Sequence, residues 1–284
     1  MNKVLCVIIF LSIGLKSYSQ KNSDISFVKF LCDKGYYKEC ILEINLQKTN
    51  IRFFTDETIS RLDSLNYYLA WSYYSIKQLR KSIYAFKKVG RNSVFYNKSV
   101  QFAAYNHSHL GEHFLSNMIL EKEKPTNIIN FQKAGNNLLK RDINQFNYIL
   151  KSIDTSKYYL QKEISNLKEI SLVIKNHKEK SPILAAGMSS LIPGLGKIYA
   201  GKIGQGISSF ITCSMFALIG VEQYNKRGLS DYRTIIASSL FTIFYIGNIW
   251  GSYFSVLIAE KEYNNTINKN ILFNIHIPLR NFYN

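Results

Sequence analysis

One short stretch of the chain contains the residue types of a zinc site. His109, Glu112 and His113 follow the order H-x-x-E-H, in which two histidines bind zinc and the glutamate activates water. That chemistry requires one continuous helix with both histidines on the same face, together with a third ligand. Gly111 falls where we predict a turn between two helices, and only His107 lies nearby. We therefore expect ordinary histidines here, with no metal and no catalytic role.

A second stretch has the glycine and lysine spacing of a phosphate-binding loop. Gly196, Gly201 and Lys202 match G-x-x-x-x-G-K, but Ile203 stands where such a loop needs Ser or Thr to bind magnesium. No strand pattern precedes this stretch, and an apolar run follows it. We expect no nucleotide site and no cofactor.

The cysteines do not form a metal-binding or redox motif. Cys6 lies in the apolar N-terminal run, and Cys32, Cys40 and Cys213 follow without any C-x-x-C spacing. Cys32 and Cys40 could meet across a pair of helices, and export would permit a disulfide between them. The sequence favours the interpretation that Cys32 and Cys40 are two small buried residues.

The chain is strongly basic, but its charge is dispersed. Its 284 residues include 36 Lys and Arg against 19 Asp and Glu, a net charge of +17. A nucleic-acid binder would concentrate the basic residues on one face or tail, and a surface near anionic lipid needs only a diffuse positive field. A lysine-rich solvated surface is the simplest interpretation. We expect no nucleic-acid partner.

The N-terminus is predicted to be a signal peptide, residues 1–19. Lys3 gives it a positive start, residues 4–15 form an apolar run, and Ser17 and Ser19 suit a cleavage site before Gln20. An uncleaved anchor is the alternative. Cleavage would place the rest of the N-terminal part outside the cytoplasm.

Residues 20–150 are predicted to form a domain of paired helices. In the clearest unit, Leu69, Ala70 and Tyr73 share one helix face, and Ser82 and Phe86 lie on the next helix. This pattern resembles the tetratricopeptide repeat, although Ser or Cys replaces the Ala of the second helix and no Pro closes a unit.

The predicted turns support this resemblance. Lys77 and Gly111 are 34 residues apart, the length of one such repeat. Gly35 and Lys77 are 42 apart, so residues 50–60 are expected to be an insertion or an irregular turn. The resemblance implies a helical array that acts as a scaffold for other proteins. A generic helical bundle is the alternative.

Residues 151–180 are predicted to form an amphipathic capping or linker helix. Leu160, Ile164, Leu167 and Ile174 form a narrow apolar stripe among lysines. The helix either caps the array or lies at a membrane surface, and the narrow stripe without Trp favours the cap.

Residues 181–262 are predicted to form a membrane domain, followed by a C-terminal tail over 263–284. Two uncharged runs, at about 204–222 and 234–259, are long enough to cross about 30 Å of hydrocarbon as helices. A re-entrant or short helix is expected before the first span.

The turn before the first span has the pattern P-G-x-G-x-x-Y-x-G over residues 193–201, with Gly206 five residues later, and the second span contains G-N-I-W-G over residues 247–251. This arrangement resembles the bacterial two-transmembrane-helix domain. The resemblance implies membrane insertion and no established chemistry. We expect the turn to pack against both spans, with Asn248 hydrogen-bonding its backbone and the glycines permitting close contact. The residues predicted to form this turn and its hairpin contacts are Pro193, Gly194, Gly196, Tyr199, Gly201, Gly206, Gly247, Asn248 and Gly251.

Together these features predict an all-α, non-enzymatic membrane protein of the bacterial cell envelope. The expected role is a scaffold in the inner membrane whose exported helical domain binds envelope proteins. The expected partners are those proteins, the lipid bilayer and a second copy of the chain. An oligomeric channel or transport component built from the polar hairpin is the alternative. The loop after the first span suits the cytoplasm because it is basic, but Lys175, Lys178 and Lys180 flank that span on the opposite side.

Overall fold

The protein is all-helical in the part of the chain that the structure, a computed structural model, describes. This part comprises residues 25–51, 55–154 and 158–282, and it contains thirteen helices and no strand. The predicted signal peptide lies outside it. The chain divides into two compact units. Unit 1 contains the described residues up to Ser171 and those from Ile271 onward, and unit 2 is Leu172–Asn270.

Unit 1 is built mainly from four consecutive helix pairs. They are α1 (Ile25–Asp33) with α2 (Tyr37–Thr49), α3 (Asp56–Ser75) with α4 (Leu79–Phe86), α5 (Tyr96–His109) with α6 (His113–Glu121), and α7 (Asn127–Leu139) with α8 (Ile143–Leu150). The first part of α9 (Tyr158–Asn176) and the last part of α13 (Tyr232–Phe282) complete this unit.

The same type of turn connects the two helices in each of the four pairs. Gly35, Lys77, Gly111 and Arg141 each have a left-handed backbone, with φ of 80°, 62°, 79° and 63°. At each turn, the N–H of the next residue donates to the carbonyl five positions earlier, at 2.8–2.9 Å. This arrangement satisfies carbonyls that the end of a helix leaves unpaired. The first three turns lie where we predicted them, and Arg141 is a fourth that the sequence did not indicate.

Equivalent positions in the four pairs are buried in the same way. Four equivalent residues are fully buried, namely Val28, Ala70, Ala104 and Ala134. The separations between them are 42, 34 and 30 residues, the same as those between the four turns. Small side chains at these positions let neighbouring helices approach closely. The resemblance to the tetratricopeptide repeat itself stays a prediction.

Hydrogen bonds between successive pairs explain the serines that replace alanine. Asn106 Nδ2 donates to Ser82 Oγ at 2.9 Å, and Asn136 Nδ2 donates to Ser116 Oγ at 2.7 Å. Each asparagine lies in the first helix of the next pair and is fully buried. The hydroxyl at this position therefore supplies a partner that alanine could not.

The end of α13 packs within unit 1. Ile271, Ile275 and Leu279 are buried, and Asn166 of α9 donates to Asn274 Oδ1 at 2.8 Å. The residues predicted as a tail, 263–284, are thus helical as far as Phe282.

The apolar stripe of α9 is buried over most of its length. Leu160, Ile164 and Leu167 are at most 4% exposed. This burial fits a capping helix better than one lying on a membrane.

Unit 2 contains the end of α9, two short helices and two long ones. The short helices are α10 (Pro182–Leu191) and α11 (Leu195–Tyr199), and the long ones are α12 (Ile203–Arg227) and the part of α13 up to Asn270. Both α12 and α13 are long and apolar enough to cross a membrane. They begin close to the predicted spans, but each continues beyond its predicted end because charged residues at a helix end do not stop the helix. Gly228, with φ of 79°, ends α12.

Candidate functional site

The predicted turn connects α10 to α12 through the single-turn helix α11. Ser181 accepts a hydrogen bond from Leu184 N and starts α10, with Pro182 at the first helical position, where its missing N–H costs nothing. Pro193 follows the end of α10 and holds Ile192 in an extended conformation, which stops the helix.

Two glycines of the turn have backbone angles that other residues rarely adopt. Gly194 has φ of 86° and Gly201 has φ of 87°. At Gly201 the chain closes as in unit 1, since Lys202 N donates to the Lys197 carbonyl at 2.9 Å. These angles explain why glycine stands at both positions.

Close backbone approach explains the other two glycines. A Cβ on Gly206 would lie 2.5 Å from Ile198 Cγ1 and 2.7 Å from the Gly194 carbonyl oxygen. A Cβ on Gly196 would overlap the Ala185 carbonyl. The turn therefore packs directly on both α10 and the beginning of α12.

Asn248 of α13 meets the turn. Its Oδ1 accepts a hydrogen bond of 3.1 Å from Gly194 N, and the side chain is 4% exposed. A backbone N–H in a reversing chain needs such a partner wherever water is excluded. The juxtaposition that the sequence predicted for Asn248 and the turn is thus present in the structure.

Serine hydroxyls that the sequence did not single out complete this contact. Ser189 Oγ lies 2.7 Å from Ser252 Oγ and accepts from Gly196 N at 2.9 Å. Tyr245 donates its hydroxyl proton to the Ser190 carbonyl at 2.5 Å. Ser252 follows Asn248 by one helical turn, and this spacing was the only sequence signal for it.

The remaining predicted residues have different surroundings. Tyr199 packs with Ala185 and Val256, and its hydroxyl accepts from Ser181 N at 3.2 Å. A Cβ on Gly251 would lie 3.3 Å from Lys197 Cε, whereas one on Gly247 would meet nothing within 4 Å.

A cavity of about 460 Å³ lies beside Asn248 in unit 2. Lys197 reaches into its wall and donates to Ser209 Oγ at 2.6 Å. Because Gly194 N–H requires the oxygen of Asn248, the amide Nδ2 faces away from the turn, and it has no hydrogen-bond acceptor. The lining contains no carboxylate. It consists of Lys197, Ser208, Ser209, Thr212, Cys213, Ile243, Phe244, Gly247 and Asn248.

The motif with the spacing of a zinc site is divided between two helices. His109 ends α5 and His113 begins α6, with the left-handed Gly111 between them, so the two histidines do not share a helix. Glu112 instead lies 2.7 Å from His107 Nδ1 and 3.0 Å from an Arg80 guanidinium nitrogen. These two neighbours, His107 first, lower the pKa of Glu112. Among the described residues, no three His, Cys, Asp or Glu are grouped as metal ligands.

A groove of about 480 Å³ runs between α6, α7 and α8 in unit 1. Phe114 and Tyr148 lie at its edges with 73% and 71% of their surface exposed. Two lysines and two carboxylates balance its charge. The polar residues of the lining are Asn117, Glu121, Asn130, Lys133, Asn137, Lys140, Asp142, Gln145 and Ser152.

Comparison of the chain with models of known protein families, with curated proteins and with solved structures gives no match. The functional assignment therefore depends on the geometry of these sites.

Proposed function

We propose that this protein is a membrane-anchored scaffold of the bacterial envelope whose unit 1 binds an extended segment of another protein. The groove between α6, α7 and α8 carries the proposal. Carboxamides can donate to and accept from a peptide backbone, and Phe114 and Tyr148 offer rigid apolar contacts. We assign the groove no reaction.

The exposed apolar surface of unit 2 supports the membrane anchor. In the most apolar stretch of 18 residues, only 11% of α12 and 22% of α13 is buried. The core helix of a soluble domain would be mostly buried, whereas a helix that faces lipid is not. Alkaline extraction of native membranes tests the anchor. The protein should stay with the lipid, and its release would refute the anchor.

Site-specific photo-crosslinking tests the groove. A photoreactive residue at Tyr148 should capture a protein partner, and the same residue at Tyr84 should not. Tyr84 is a matched control because it is 65% exposed but lies outside the groove. Phe114→Ala should reduce the yield at position 148 several-fold. Equal yields at the two positions, or none at 148, would count against partner binding by this groove.

Cysteine labelling tests the orientation. In intact spheroplasts, an impermeant maleimide should modify Lys151→Cys, because unit 1 is proposed to be exported. It should modify Leu229→Cys, in the loop after α12, only after lysis. Both positions are exposed. The reverse pattern would overturn the proposed topology.

The cavity beside Asn248 favours a second candidate, an oligomeric channel or transport component. A lysine, hydroxyls and an unpaired amide could together line a path for a polar solute. Purified protein in liposomes separates the candidates. A scaffold gives no flux above background, whereas a channel gives flux that Lys197→Leu reduces.

A further inference from the structure

Two thiols of the first helix pair lie unusually close together. Cys32 Sγ of α1 is 2.7 Å from Cys40 Sγ of α2, and the residues are 5% and 0% exposed. The optimal separation of two carbon atoms that are not bonded to each other is about 3.5–4.0 Å, and sulfur is a larger atom than carbon. The fold therefore brings the two sulfurs nearer than two separate thiols can remain.

Cys40 occupies the position at which the second and third helix pairs have a serine. Cys40 precedes Ser82 by 42 residues and Ser82 precedes Ser116 by 34, the same spacings that separate the turns. In the second and third pairs, an asparagine of the following pair donates a hydrogen bond to the serine hydroxyl at this position. In the first pair, the residue equivalent to that asparagine is Ser72, whose Oγ lies 3.3 Å from Cys32 Sγ. A thiol is a weak hydrogen-bonding group, so hydrogen bonding does not account for the close sulfurs.

We propose that Cys32 and Cys40 form a disulfide in the mature protein and so join α1 covalently to α2. α1 has nine residues, too few to be stable as an isolated helix, and in the described chain it is the first helix of the series. A covalent link at this end would hold α1 in place. The inference does not depend on partner binding by the groove.

The oxidation is a thiol–disulfide exchange with a disulfide donor, either glutathione disulfide or an oxidised dithiol protein. While the two thiols are still accessible, one of them, here written as Cys40, loses its proton. Its thiolate attacks one donor sulfur, forms a mixed disulfide and releases one donor thiolate. Cys32 then loses its proton and attacks Cys40 Sγ, which releases the second donor thiolate. The two cysteines lose two electrons and two protons, and the donor gains them as two thiols.

This reaction must precede the completion of the fold. Both sulfurs are buried once α1 and α2 have closed on α3, so a donor can reach them only during folding. For the same reason, the finished disulfide should resist mild reductants.

Peptide mapping of the wild-type chain tests the proposal directly. The full chain is isolated from native membranes after thiols are blocked with N-ethylmaleimide and is digested with trypsin without reductant. Cleavage after Lys34 and Lys38 separates the two cysteines. We expect peptides 30–34 and 39–48 to be joined, two hydrogens lighter than their sum, and to separate on reduction. Cys213 should carry maleimide after denaturation and serves as the internal control. Unlinked peptides that both carry maleimide would overturn the proposal.

Thermal unfolding gives a second measurement. Serine occupies the position of Cys40 in the next two pairs, and serine at position 32 is close in size to cysteine, so Cys32→Ser with Cys40→Ser should still fold. This double variant should lose on the order of 5–10 °C in Tm, the effect of opening a short covalent loop. Cys213→Ser should not change the linkage between the two peptides. A double variant as stable as wild type would show that no such bond holds α1.

Discussion

Asn248 Oδ1 accepts a 3.1 Å hydrogen bond from the backbone N–H of Gly194, although 54 residues separate them. The contact joins the turn before α12 to the middle of α13. Ser189 of α10 and Ser252 of α13 make a second polar contact, at 2.7 Å. Because the turn also packs against Gly206 at the beginning of α12, the hydrogen bond to Asn248 links the beginning of α12 to α13 through the turn.

Substitution of Gly196 should destabilise unit 2. In Gly196→Ala the new Cβ overlaps the Ala185 carbonyl, and backbone cannot move aside as a flexible side chain can. We expect a loss of about 1–3 kcal/mol in the free energy of unfolding, measured by steric trapping in detergent. Gly247→Ala is the matched control because its Cβ would meet nothing within 4 Å. Equal stability of the two variants would mean that the turn is a loose surface loop.

Asn248→Leu should cost less, about 1 kcal/mol, because hydrogen bonds between spans average below that value. The variant leaves Gly194 N–H without its acceptor and fills the same space with an apolar side chain of similar size. The same unfolding measurement applies, with the exposed Ser208→Ala as a control that should behave like wild type. A loss above about 3 kcal/mol would show that Asn248 does more than join two elements.

Removal of a buried asparagine should destabilise unit 1. Asn136 donates to Ser116 Oγ at 2.7 Å and to Asn117 Oδ1 at 2.8 Å, and it is fully buried. Asn136→Ala removes both of these hydrogen bonds from a buried site, so we expect a loss of about 1–3 kcal/mol by thermal unfolding. Asn130→Ala is the control, because its hydrogen bond to Ser152 is exposed. No difference between the variants would contradict the structural role assigned to Asn136.

Unit 1 should lose stability in mild acid through His276. Burial, together with Arg280 and His109, lowers the pKa of His276, and Tyr74 lies 2.7 Å from its Nε2. The unfolded chain therefore binds a proton more readily than the folded one. The stability from neutral His276 is fully present above the unfolded pKa of about 6.5 and is lost as the pH falls below it.

Thermal unfolding at pH 7.5 and pH 5.5 measures this effect. The wild type should show a larger fall in Tm between these conditions than His276→Gln, whose side-chain oxygen can still accept from Tyr74. The other groups around His276 are Phe102 and Tyr105, neither of which titrates in this range. An equal fall in both proteins would assign the acid sensitivity to other groups.

Several parts of the fold could be predicted from residues close together in the chain. Apolar periodicity predicts the helices, and long uncharged runs indicate the two candidate spans. Gly35 and Gly111 marked turns because glycine tolerates a left-handed backbone. Arg141 adopts the same backbone without being glycine, so no local signal distinguished it. The repeat resemblance, the signal peptide and the scaffold role stay predictions.

The sequence by itself determined the helical class, the two long apolar helices and the glycine-rich turn, because each depends on backbone preferences and on hydrophobicity over short distances. Only the tertiary structure decided which groups meet. It placed the end of α13 in unit 1, where His276 lies beside Tyr74 at a separation of 202 residues, and it gave Ser82 and Ser116 their asparagine partners. Hydrogen bonding and close packing depend on distances between atoms that are far apart along the chain, and composition and periodicity do not specify those distances.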